Sequence, residues 1–213
     1  MIRIAIDGPS GAGKSTVAKL LAKRLGISYV DTGAMYRAAA YKLDKEGISE
    51  KDQDKISKEI NGINMDFDGE RIFLDGEDVS DKIRTDRMSL LASKFSSKPE
   101  VRKKLTEMQR EIANNKSVVM DGRDICDNIM PFAEWKFYIT ASPEERARRR
   151  YEELSEKGII TTFDETLESI KKRDYDDSHR QINPLKISKD AEVIDTTNMG
   201  IEATVDLLYG KMI

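Results

Sequence analysis

Short apolar runs alternate along this chain with longer stretches whose apolar residues recur every three or four positions. Residues 2–6 read as a short buried strand, and residues 16–25 carry a helical spacing. A second strand is predicted at 27–30. A helix from about 34 to 43 follows, with Tyr36, Ala39, Ala40 and Leu43 on one face and Gly47 at its end. Residues 50–62 are very polar but keep helical spacing in Ile56 and Ile60. The period then changes to two at 63–67, Asp68-Gly69 forms a turn signal, and 71–74 returns as a strand before Asp75-Gly76. This small antiparallel piece reads as an insertion. Helical pattern resumes at 88–95 and after Pro99, where Val101, Leu105, Met108 and Ile112 line one face. Strands follow at 117–120 and 135–139. Ser142 and Glu145 resemble a capping box, with Pro143 opening a charged helix over 143–157. A helix at roughly 164–176, a strand at 191–194 and a helix from about 201 complete the chain.

Strands alternating with helices predict an α/β fold with a mostly parallel sheet covered on both faces. Ligands in such folds gather beyond the carboxyl ends of the strands, where the polar clusters fall here. The 213 residues are 38% hydrophobic and 35% charged, which suits one globular domain with an inserted subdomain. No apolar stretch approaches the roughly 20 residues of a membrane span. The start of the chain lacks a basic region followed by an apolar one, so no secretory signal is expected. Cys126 is the single cysteine, which excludes an internal disulfide and fits a reducing cytosol. With one histidine besides, no Cys/His zinc cluster is available. A net charge of −3 argues against a general nucleic-acid binder.

Gly8-Pro9-Ser10-Gly11-Ala12-Gly13-Lys14-Ser15 lies between the first strand and the first helix, the context a phosphate-binding loop requires. Its glycines let backbone N–H groups curl around an anion at a helix N-terminus. Lys14 reaches the outer phosphates, and the Ser15 hydroxyl completes a Mg²⁺ sphere. The alternative is a glycine-rich turn that fits the pattern by chance, and the flanking elements disfavour it. The motif specifies a nucleoside triphosphate and leaves the acceptor open.

Three other clusters bear on the acceptor. Asp31-Thr32-Gly33-Ala34-Met35-Tyr36-Arg37 places a hydroxyl at a helix start and a guanidinium one turn later, suited to a forked phosphate contact or simply to the surface. Asp121-Gly122-Arg123-Asp124 ends a buried strand, as a base or sugar contact or as a structural ion-pair network. On a helix, Arg173, Asp177 and Arg180 share one face, two arginines bracketing an aspartate. His179 lies off that face, a solvent-facing or locally bonded side chain in preference to a catalytic one. Arg146-Ala147-Arg148-Arg149-Arg150 is a dense positive run, open also to reading as a solvated helix face.

Together these motifs, with Gly76-Glu77-Asp78-Val79-Ser80, Ile83-Arg84-Thr85 and Pro184-Leu185, resemble the bacterial cytidylate kinases in order along the whole chain. The resemblance implies a three-layer P-loop sandwich with a central parallel sheet. It adds a small inserted antiparallel β/helical subdomain for the monophosphate, and a helical lid. As a single domain 1–213, the core takes about 1–36, 84–140 and 178–213, the insertion about 37–83 extending toward 110, and the lid about 143–177. The implied reaction moves the γ-phosphoryl group of ATP to CMP or dCMP with Mg²⁺. Gly8, Pro9, Ser10, Gly11, Ala12, Gly13, Lys14, Ser15 and Thr16 then bind ATP, and Ser15 the metal. Ser10, Thr32, Tyr36, Arg37, Ser93, Arg102, Asp121, Arg123, Asp124, Arg173, Asp177 and Arg180 bind the monophosphate. Within that set Arg102, Asp124 and Ser93 read cytosine, Arg37, Arg123 and Arg180 hold phosphate, and Asp177 the sugar. Lys14, Arg123, Arg146, Arg150 and Arg180 are the implied catalytic groups, with Arg146 and Arg150 in the lid. A cytoplasmic monomer with no nucleic-acid or membrane partner is expected. A kinase for another acceptor such as UMP, and a nucleotide-dependent switch, are the competing readings, and no Asn-Lys-x-Asp guanine motif is present. Cys126-Asp127 stands where the family has Gly-Thr, a change expected to tune the acceptor loop without abolishing activity.

Overall fold

The computed structural model describes residues 1–68 and 71–212, so the turn predicted at Asp68-Gly69, which needs Gly69, lies outside the described residues. In chain order the elements begin β1 (Arg3–Asp7), α1 (Lys14–Leu25), β2 (Ser28–Asp31), α2 (Thr32–Lys45) and α3 (Gln53–Asn61). Three short strands, β3 (Met65–Asp68), β4 (Arg71–Leu74) and β5 (Glu77–Asp78), precede α4 (Asp86–Phe95) and α5 (Pro99–Asn115). Then come β6 (Val118–Gly122), a π turn at Ile125–Ile129, β7 (Trp135–Thr140), α6 (Pro143–Glu156), α7 (Phe163–His179), β8 (Glu192–Asp195) and α8 (Ile201–Gly210).

These elements form two compact units, Met1–Val30 with Lys116–Ile213, and Asp31–Asn115. The first is built on a five-stranded sheet ordered β2-β6-β1-β7-β8. β1 pairs in parallel with β6 and with β7, and β7 with β8. β1 is apolar on both faces because both are covered, as the continuous run at 2–6 predicts. Ile4, Ile6, Val17, Leu21, Phe137, Ile194, Val205 and Leu208 belong to the core that seals α1 and α8 onto the sheet. The connection after β1 runs to β2 on one side of the sheet and the connection after β7 runs to β8 on the other, so the carboxyl ends of β1 and β7 form the switch point at which such sheets bind ligands. The register sets Asp7 level with Gly122 on one side and Tyr138 on the other.

The second unit surrounds the antiparallel sheet β3-β4-β5 with α2, α3, α4 and α5. The predicted Asp75-Gly76 turn is present, with both residues at positive φ (51° and 85°), the geometry of a tight hairpin. The Asp75 carboxylate accepts from the Asn64 N–H at 2.9 Å and pins the turn. On α5 the buried row is Val101, Leu105, Gln109 and Ala113, an i, i+4 line. Met108 and Ile112 are only partly covered. Periodicity of apolar residues misplaced that face because two polar side chains, Arg102 and Gln109, are buried in it.

Two local expectations change. α2 begins at Thr32, two residues early, because the Asp31 side chain caps it by accepting from the Ala34 N–H. At α6 only half of the capping box forms. Ser142 Oγ accepts from the Glu145 N–H, while the Glu145 carboxylate turns to Arg148 and Arg149. The reciprocal box is instead at Thr162 and Glu165, which start α7. Among the described residues no helix is long and apolar enough to cross a membrane.

Candidate active site

The loop after β1 is made of backbone. Gly8 has φ +147°, and a Cβ there would lie 1.9 Å from the Ile139 carbonyl oxygen, so β7 admits only glycine. The α1 N-cap, Gly13, offers no side chain to the first amides, and the first turn carries no acidic residue. Those N–H groups and the positive helix end are left for an anion. Lys14 is buried, with Nζ donating to the Pro9 carbonyl at 2.8 Å. Burial, then the nearby Arg123 and Arg173, pull its pKa down to about 7 against the opposing Asp121 and Asp177.

Ser15 Oγ donates to Asp121 Oδ2 at 2.8 Å, and the Tyr29 hydroxyl to Oδ1 at 2.9 Å. Among the described residues no three His, Cys, Asp or Glu side chains form a self-contained metal cage. A hydroxyl beside one carboxylate is the hard-oxygen set that Mg²⁺ uses when phosphates and water supply the rest, so Ser15 and Asp121 fit that ion.

A cleft of about 810 Å³ opens over Gly11, Gly13, Lys14, Ser15 and Thr16, with Arg148, Arg149 and Arg150 on one wall and residues 197–201 on another. Sequence reasoning missed this second wall. Its signal was position alone, the turn beyond the carboxyl end of the last strand. Arg149 ties α6 to it by donating to the Thr196 carbonyl at 2.6 Å. Arg150 lies against Glu153 at 2.7 Å. Arg146, read from the sequence as part of a mobile lid, is 3% exposed and donates to Ala141, Ser10 and Asp174.

The Asp121–Asp124 and Arg173–Arg180 clusters come together within the same unit. Arg123 Nε donates to Asp177 Oδ2 at 2.7 Å, and Arg180 Nη2 to Asp124 Oδ1 at 3.1 Å. Burial pushes the Asp177 carboxyl up, but Arg123, Arg173 and Arg180 outweigh it and hold the group below the usual carboxylate range. Arg180 is not on the helix as its spacing suggests. α7 stops at His179, and Arg180 caps it in an extended conformation, its Nε donating to the Asn183 carbonyl at 2.7 Å. His179 is locally bonded, Nδ1 lying 2.9 Å from the Tyr175 carbonyl with the two rings stacked.

Asp7 is the other group that the pattern did not reveal. It is 3% exposed and its carboxylate accepts from the Ile125 and Cys126 N–H groups at 2.9 and 2.8 Å, anchoring the π turn. Burial raises its pKa against those two bonds. This turn accounts for Cys126-Asp127. The Cys126 side chain is buried and its thiol pushed well above its ordinary value by burial and then by Asp7, which makes it inert. Asp127 pairs with Lys186 at 3.0 Å and bonds Ser188.

In the second unit Asp31 holds Arg37 at 3.0 Å, and the Arg37 Nε is buried with no partner among the described residues. Thr32 opens α2 in a buried position. Arg102 is 3% exposed, its guanidinium 5.7 Å from the Tyr36 ring centre and its Nη1 3.4 Å from the Ser96 carbonyl. Ser93 lies on α4, half-buried.

Solved structures share this fold at low identity. An uncharacterized protein from Eubacterium ventriosum has a TM-score of 0.57 at 17% identity over 100% of this chain and 98% of its own. A shikimate kinase from Bacteroides thetaiotaomicron reaches 0.50 at 16% over 99% and 98%. Sequence relatives are far nearer. A cytidylate kinase of Caldanaerobacter subterraneus subsp. tengcongensis is 54% identical over 98% of this chain and 93% of that protein. One of Fusobacterium nucleatum is 46% identical over 99% and 97%. The cytidylate kinase family model matches residues 4–212. With a phosphate loop, its paired serine and aspartate, and an arginine–aspartate cluster all at the carboxyl ends of one parallel sheet, the chain belongs to the cytidylate kinase family.

Proposed function

We propose that the protein transfers the γ-phosphoryl group of ATP to CMP or dCMP, giving ADP and CDP or dCDP. The observation that carries this reading is the cluster in which Asp177 and Asp124 hold Arg123 and Arg180 in the same unit as the phosphate loop. A transferred phosphoryl group needs such fixed positive charge on the acceptor side as well as the donor side.

On the donor side Gly8, Pro9, Ser10, Gly11, Ala12, Gly13 and Thr16 bind the triphosphate through the loop and helix start, and Lys14 draws the outer phosphates. Residues 197–201 face the base of ATP across the cleft. Ser15 with Asp121 would hold Mg²⁺, which when bound would spread the negative charge of the phosphate oxygens. Arg150 adds positive charge from α6, and Arg146 supports the loop beneath Ser10. On the acceptor side Arg37, Arg123 and Arg180 take the monophosphate, and Asp177 the sugar. Arg102, Ser93 and Asp124 read the base. An ionised carboxylate accepts only, so Asp124 suits the cytosine amino group and repels the uracil carbonyl. Ser10, Thr32, Tyr36, Asp121 and Arg173 complete the contacts of the same nucleotide. No general base is required, because in-line placement and charge stabilisation provide most of the catalysis. The enzyme acts as a cytoplasmic monomer.

A coupled assay of ADP formation against CMP, dCMP, UMP, AMP, GMP and shikimate tests this assignment. Rapid turnover with CMP and dCMP is expected, and rapid turnover with AMP and none with CMP would overturn it.

A further inference from the structure

Arg146 is unlike its neighbours on α6. Arg148 has a side chain 53% exposed and pairs at the surface with Glu145 and Glu152. Arg146 is buried, and each of its three nitrogens is engaged: Nε with the Ala141 carbonyl at 2.9 Å, Nη1 with the Ser10 carbonyl at 3.0 Å and Asp174 Oδ1 at 3.0 Å, Nη2 with Asp174 Oδ2 at 2.7 Å. The two-point fork joins α6 to α7, and the remaining donors grip the end of β7 and the phosphate loop. Contact there is tight. A Cβ on Gly11 would lie 3.2 Å from the Arg146 Cβ and 3.3 Å from Cδ1 of Ile170, which is on α7.

Asp174 lies one helical turn before Asp177, the residue that holds Arg123 on the acceptor side. The chain Arg123–Asp177–α7–Asp174–Arg146–Ser10 is therefore continuous, buried at Arg146 and at Asp177, and built from charge-assisted bonds on one stiff helix. A displacement of α7 by an acceptor at Arg123 moves the fork, and with it the carbonyl of Ser10. We infer that Asp174 is a positioning residue that couples the acceptor cluster to the phosphate loop through Arg146, so that each nucleotide strengthens binding of the other. This rests on the assignment of ATP to the loop and CMP to the arginine cluster. It also gives Arg146 the role of a strut, since its nitrogens face carbonyls and a carboxylate.

The test is equilibrium binding of a non-hydrolysable ATP analogue with Mg²⁺, with and without saturating CMP, in wild type and in Asp174→Asn. In wild type CMP is expected to tighten the analogue by about fivefold or more, and the analogue to tighten CMP by the same factor, as linkage demands. Asparagine keeps the shape and one acceptor but loses the charge and the second fork bond. The variant is expected to bring the coupling to within about twofold of unity while analogue affinity without CMP changes by less than about threefold. If circular dichroism shows that Asp174→Asn does not fold, the double variant Arg146→Met with Asp174→Leu removes both charges and carries the same expectation for the coupling. A wild-type coupling of one, or a variant that keeps the wild-type coupling, overturns the inference. So does analogue binding tightened tenfold in Asp174→Asn without CMP, which would mark Arg146 as a direct phosphate ligand. Formation of CDP by the wild-type protein is measured alongside. Its absence refutes the substrate assignment, whereas uncoupled binding in a protein that makes CDP refutes only the role of Asp174.

Discussion

The phosphate loop and the proposed acceptor cluster lie in the same unit but are built in opposite ways. The loop is eight consecutive residues whose function lies in backbone amides, fixed by glycine conformation and by the close approach of β7 to Gly8. The acceptor cluster is side chains from positions more than fifty residues apart, fixed by ion pairs between Arg123 and Asp177 and between Arg180 and Asp124. A backbone site tolerates change in its side chains but not in its dihedrals. A side-chain site depends on each partner to hold the other charge in place. The two regions should therefore fail differently.

Gly8→Ala is expected to have the largest effect. The added methyl meets a carbonyl oxygen at a positive φ, so the fold should lose about 3 kcal/mol or more, read as a lowered midpoint of thermal unfolding. A variant as stable as wild type would show that the loop is not fixed by β7. Arg180→Ala breaks the largely buried pair with Asp124 and the bond to Asn183, so it should cost about 1–3 kcal/mol of stability while leaving ATP-analogue affinity without CMP nearly intact. It should raise the KM for CMP by roughly 10- to 100-fold, the range for losing a hydrogen bond to a charged group. Unchanged constants for CMP would break the distinction between the two regions.

Lys14 sharpens the contrast by pH. Its pKa of about 7 lies below the ordinary lysine value, and bound phosphate favours the charged form. Between these values free protein holds Lys14 neutral and the complex holds it protonated, so binding takes up a proton. Apparent ATP affinity should then fall as pH rises above about 7. Calorimetry at pH 8 in two buffers of different ionisation enthalpy measures the uptake, and a zero difference contradicts it. The smallest effect is expected from Cys126→Gly with Asp127→Thr, against the tuning role that the sequence suggested for this pair. Cys126 contributes its N–H to Asp7, and Asp127 faces Lys186 and Ser188, so turnover with CMP should stay within about twofold while the lost buried thiol costs about 1 kcal/mol. A tenfold change in turnover would place these residues in the acceptor contacts.

The same difference explains what the sequence made legible. The loop was readable because its residues are contiguous and flanked by a periodic strand and helix. Membership of Arg123, Asp124, Asp177 and Arg180 in one cluster was suggested by resemblance, but their pairing was not. Helical spacing put Arg180 on α7, whereas Asn183, at positive φ, supplies the carbonyl that draws it past the helix end. Asp7 was hidden because a single acidic residue after an apolar strand has no distinguishing period, and its partners are amides 118 and 119 positions away. The α5 face was misread because Gln109 is buried among apolar neighbours. Arg146 looked like its exposed neighbours, since a run of arginines does not show which one turns inward.

The most direct test of the account is to follow ³¹P NMR of the protein with ATP, Mg²⁺ and CMP. The account predicts ADP and CDP in equal amounts, with little orthophosphate and little loss of ATP when CMP is left out. Orthophosphate released at the same rate with or without CMP, and no CDP, would contradict it.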